Sequence, residues 1–93
     1  MMLNISKDAG SVTVSVNMAP KDKPIFLHRI NIVWFDAGGN AFATESHRPD
    51  VFIEENIAIS VLSVPITSGA KQVKAHASYE VVDGVADTSK LSL

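Results

Sequence analysis

The 93-residue chain contains no cysteine. Disulfides, thiol chemistry and cysteine-held zinc are excluded together, so apolar burial and hydrogen bonding must hold whatever fold forms. Aromatics are few, with one Trp, one Tyr and four Phe, which leaves little material for a broad stacking platform. Charge is sparse as well: 19% of residues are charged and the net charge is −2. Such a chain is neither disordered by composition nor suited to attracting phosphate backbones, and nucleic acid is not an expected partner. No apolar run approaches the roughly 18 residues of a membrane-spanning helix, and no window sustains a 3.6-residue apolar period. Residues Met1 to Gly10 lack a basic segment followed by an apolar stretch, so neither a signal peptide nor membrane insertion is expected. The compartment is left open.

What the chain has instead is period two. Ser11 to Asn17 sets Val12, Val14 and Val16 on one face and hydroxyl groups on the other, the pattern of a half-buried antiparallel strand. Ala19 to Pro24 breaks it with two prolines and charges, as a connection along a sheet edge would. Ile25 to Asp36 reads as a long strand with Ile30, Ile32 and Trp34 on one face and Val33 and Phe35 on the other, hence a central one. Asp36-Ala-Gly-Gly-Asn40 is a hairpin loop into a strand at Ala41 to His47, which Arg48-Pro-Asp50 ends. A short segment at Val51 to Ile53 and a turn at Glu54-Glu55-Asn56 lead into Ile57 to Val64, with Ile57, Ile59 and Val61 expected inward. Pro65 to Gly69 is a loop.

The cleanest alternation sets Val73, Ala75, Ala77, Tyr79 and Val81 against Lys74, His76, Ser78 and Glu80. Asp83-Gly84 then reads as a two-residue hairpin returning the chain into a last strand that ends at Leu91 and Leu93. Seven to eight short strands and no helix specify one all-β domain over residues 1–93, an antiparallel sandwich or a small barrel.

Ile32-Val-Trp34-Phe-Asp-Ala-Gly-Gly39 resembles the C strand and following turn of immunoglobulin-like domains, where a tryptophan packs at the centre of the sandwich. Ala75-His-Ala77-Ser-Tyr79-Glu-Val81, with Asp83-Gly84 and Leu91-Ser-Leu93, resembles their F strand, F–G turn and G strand. The resemblance implies an immunoglobulin-like antiparallel β-sandwich with Trp34 and Tyr79 in its core. It also implies that Val16 and Val81 stand where the inter-sheet disulfide would be. Fibronectin type III domains are similar, but their tryptophan lies on strand B, which here has none. Function on such folds is carried by sites and not by architecture, so binding or spacing is implied and catalysis is not.

The chemistry-bearing residues are scattered. Glu45 and His47, two apart on one strand, offer two metal ligands with only Asp50 nearby for a third, so a metal site is not the expectation. Asp36 with Asn40, or Asp83, suit calcium by residue type but lack any recognisable spacing of oxygen ligands, and hydrogen-bonding turn residues account for them. His28, His47 and His76 come without a nucleophile elbow, a phosphate loop or a zinc-protease motif. Neither an enzyme nor a cofactor is expected.

What is left is a surface. With Trp34 inward, alternation turns Leu27, Arg29, Asn31, Val33 and Phe35 outward on the same strand. The immunoglobulin-like arrangement sets Lys74 and His76 beside them. Aromatic and arginine side chains among aliphatics and hydrogen-bonding groups are the composition of an interface. The expected function is a non-catalytic structural module that pairs with itself or with another protein in a larger assembly. The alternative is a carbohydrate-binding module, which needs exposed rings from among Phe35, Phe42 and Phe52. A small metal-dependent enzyme ranks third.

Overall fold

The computed structural model describes residues 1–54 and 58–82. Seven strands run in order: β1 (Met2–Asp8), β2 (Ser11–Asn17), β3 (Ile25–Phe35), β4 (Ala41–His47), β5 (Val51–Ile53), β6 (Ala58–Pro65) and β7 (Gln72–Val81). All pairings are antiparallel, and the strands form two sheets. The first has the order β1-β2-β6. In the second, β3 is central: β4 and β5 share one of its sides and β7 runs along the other. The expected last strand, with the Asp83-Gly84 turn before it, lies outside the described residues, as does Ile57.

The apolar stripes read from alternation meet in one cluster between the sheets. Val12, Val14, Val16, Met18 and Val64 from the first pack with Ile25, Leu27, Ile30, Ile32, Trp34 and Ile53 from the second. Asp36-Ala-Gly-Gly-Asn40 is a hairpin loop, as expected. The Asp36 carboxylate accepts hydrogen bonds from the backbone N–H of Gly38 at 2.9 Å and of Asn40 at 3.0 Å, and Gly39 takes a φ of 81°. The turn thus engages one oxygen, Oδ1, of the carboxylate that was weighed for calcium.

Three differences from the sequence reading have physical causes. The first is β1, where no strand was expected. Its core-side positions, Leu3, Ile5 and Lys7, lie opposite Val16, Val14 and Val12, and the lysine interrupts the apolar stripe. Its signal lay in Ala9-Gly10, a two-residue loop whose first member takes a φ of 55°. As a result β2 lies in the middle of its sheet.

The second is a change of parity inside β3. Leu27 pairs with Tyr79 and Arg29 with Ser78, so His28 is an extra residue bulged out of the ladder. Ile25 and Leu27 therefore share the core face with Ile30, Ile32 and Trp34. A second bulge, at Val61, breaks the expected stripe of β6: Ile59, Leu62 and Val64 pair with Val16, Val14 and Val12 on the core side, although Ile59 stays 37% exposed.

The third concerns the end of β7. Tyr79 and Val81 lie opposite buried Leu27 and Ile25, yet they are 44% and 57% exposed. The expectation that Tyr79 and Val81 are core residues is therefore corrected, while Trp34 at 1% exposed and Val16 at 0% are core.

Candidate interaction surface

Because Trp34 faces the core, the intervening residues of β3 form the outer face of the second sheet. Cross-strand register brings them together with their neighbours: Asn31 lies between Ser46 and His76, Val33 between Thr44 and Lys74, and Arg29 opposite Ser78. Phe35 lies opposite Gln72, next to a bulge at Phe42, which is 45% exposed. Arg29, Lys74 and His76 are exposed, whereas Asn31, Val33 and Phe35 are half-buried. A shallow depression of about 460 Å³ runs along Asn31, Val33, Thr44, Glu45 and Ser46. Six of the seven residues expected on this face are thus on it.

Leu27 is the correction. It is 0% exposed, since the His28 bulge turns it from the outer face into the core. Alternation cannot register a bulge between two residues of the right kind, and nothing else in the segment marks it.

The same bulge builds a second feature at the far end of the face. Phe26 lies opposite both Phe52 and Glu80. Its ring centroid is 4.7 Å from that of His28, with the planes tilted at 56°. The His28 Nε2 is 3.3 Å from the Glu80 carboxylate. Phe52 is 46% exposed. Phe26 and His28 escaped the sequence reading because strict alternation from Trp34 turns both of them towards the core, and only the bulge puts Phe26 on the outer face.

Glu45 and His47 lie on the core side of β4, opposite Ile32 and Ile30. The indole Nε1 of Trp34 donates to one Glu45 oxygen at 2.8 Å, and His47 Nε2 lies 2.7 Å from the other. A polar chain thus runs from the core indole to the sheet edge. The His47 hydrogen bond, and after it that from Trp34, holds the Glu45 carboxyl below its ordinary pKa, against a desolvation effect that raises it. Both carboxylate oxygens are engaged within the fold. Asp50 takes a positive φ of 46° and lies 4.0 Å from Arg48, and no group of three or more His, Asp or Glu among the described residues is placed to hold a metal.

At the opposite end of the chain the Asp22 carboxylate accepts from the Met1 ammonium at 2.9 Å and from the Ala19 N–H at 2.7 Å. These contacts lower the Asp22 pKa, the ammonium hydrogen bond most. Between the sheets, beside Trp34, a cleft of about 170 Å³ is lined by Lys7, Val12, Ile66, Ala70 and Val73. That is smaller than the roughly 300 Å³ at which ligand pockets begin. Comparison with protein-family models, curated proteins and solved structures finds no match to the chain.

Proposed function

We propose that the chain is a non-catalytic, immunoglobulin-like structural module that self-associates or docks in a larger assembly through the outer face of its second sheet. The observation that carries this reading is the composition of that face. Half-buried Val33 and Phe35 sit between exposed Arg29, Lys74 and His76, with exposed Phe42 alongside, on a sheet whose other face is already core. The immunoglobulin-like part of the reading is supported by strand order: β1-β2-β6 faces β4-β3-β7, with the tryptophan on the central strand of the second sheet. Exposure of Tyr79 departs from that family pattern and weakens the tyrosine as its marker.

The test is Phe35→Ser followed by light scattering on a sizing column. The expected result is a lower mass at the highest concentrations with an unchanged melting temperature. A loss of about 3 kcal/mol in stability would instead make Phe35 a core residue and end the surface reading.

A second reading, carbohydrate binding, is favoured by one observation: exposed Phe52 lies directly across from Phe26, which packs on His28 beside the Glu80 carboxylate. Rings with adjoining hydrogen-bonding groups are the elements a sugar face requires. Binding on a glycan panel that Phe52→Ala abolishes is the expected outcome of this reading, and silence across the panel ends it.

A further inference from the structure

The edges of the two sheets are not equally defended. Unpaired strand edges invite other chains, and proteins blunt them with inward-pointing charges, bulges, prolines or short strands. On β1, Lys7 lies on the core side, opposite Val12. On β6 there is a bulge at Val61, and Pro65 is the last residue. Along the shared side of β3, β4 turns Glu45 and His47 inward and β5 is only three residues long.

On β7 the inward charge, proline, short length and bulge of its own are all missing, and its only protection is the outward-facing charges of Lys74 and Glu80. It has ten residues without proline or glycine, and the bulge in its ladder belongs to β3. Its core-side residues, Val73, Ala75, Ala77, Tyr79 and Val81, are all uncharged. Among the described residues its second edge has no partner.

We propose that this edge pairs with the same edge of a second copy, β7 antiparallel to β7 about a two-fold axis at Ala77. The proposal rests on the self-association reading above and names how the copies first join. The strand is self-complementary in that register. Lys74 falls opposite the partner's Glu80, and Glu80 opposite the partner's Lys74. On the core side, small Ala75 meets the partner's Tyr79, and Val73 meets the partner's Val81. Sliding the pairing by two residues, the smallest shift that keeps the faces aligned, separates the charges in either direction. Opposite charges directly across an antiparallel pair attract and like charges repel, and a two-fold axis uses each pair twice. The result is one continuous sheet that crosses the dimer and sets the two outer faces side by side.

The experiment is charge reversal in the full chain, read as solution mass over a hundredfold concentration range. Lys74→Glu and Glu80→Lys, made separately, are expected to weaken dimerisation at least about tenfold each, by opposing like charges at two symmetric places. Mixing the two variants is expected to restore a dimer, because a mixed pair again opposes unlike charges. Unchanged melting temperature and far-ultraviolet circular dichroism show that each variant is folded.

Association indifferent to both reversals would overturn edge pairing while leaving the face reading standing, since that depends on Phe35. A full chain that is monomeric throughout would overturn both. If a variant ending at Val82 dimerises where the full chain does not, the edge is taken by residues 83–93 of its own chain, and pairing between copies is overturned.

Discussion

Glu45 is the residue at which chemistry and architecture meet. It accepts from the Trp34 indole in the core and engages His47 at the rim, so the edge strand β4 is tied to the central strand by more than its ladder. Since these hydrogen bonds favour the ionised carboxylate, the folded-state pKa lies below the unfolded one. The stabilisation is therefore fully present above the ordinary glutamate range and is lost as pH falls through the lowered value. Melting temperature and Trp34 fluorescence are expected to change together on acidification below about pH 4.5, near the unfolded glutamate value. In Glu45→Gln that part of the pH dependence is expected to vanish. An unaltered acid profile in the variant would place the acid sensitivity elsewhere. The sequence showed Glu45 and His47 on one face of one strand, but not that their face is the inner one. That depends on the register of β4 against β3, which no local pattern encodes.

At the scale of the strand, the bounds of β2 were legible from its strict alternation, and those of β4 and β5 from the turn residues that bracket them. The direction in which side chains point was legible only where ladders are regular. One extra residue, His28, makes Leu27 a core residue and leaves Arg29 exposed. Leu27→Ala is accordingly expected to cost about 3 kcal/mol, the scale for emptying a well-packed leucine site. Arg29→Ala is expected to change stability by less than about 0.5 kcal/mol, as surface changes do. Chemical denaturation of the two variants checks the assignment. Equal costs would mean that the two residues share a face and that the bulge is absent. The same bulge explains why the Phe26, Phe52 and His28 cluster could not be foreseen, whereas β1 gave a weak signal because Lys7 interrupts its core-side stripe.

For the whole molecule, a chain without cysteine places its single Trp, Leu27, Met18 and a set of valines and isoleucines between two sheets, and leaves outside them the one sheet face and the one sheet edge proposed for association. The fold class was legible because period-two patterning and turn chemistry agree along most of the length. The face was legible in outline, since Arg29, Asn31, Val33 and Phe35 followed from the placement of Trp34, and Lys74 and His76 from the strand order that the immunoglobulin-like resemblance implied. The asymmetry among the edges was not, because it depends on which strand is a neighbour of which. The central claim is that this module exists to associate. Its most direct test is the solution mass of the unmodified chain by light scattering on a sizing column, across a hundredfold range of concentration. The account predicts a defined species larger than the monomer that dissociates on dilution. A monomer at every concentration would contradict it.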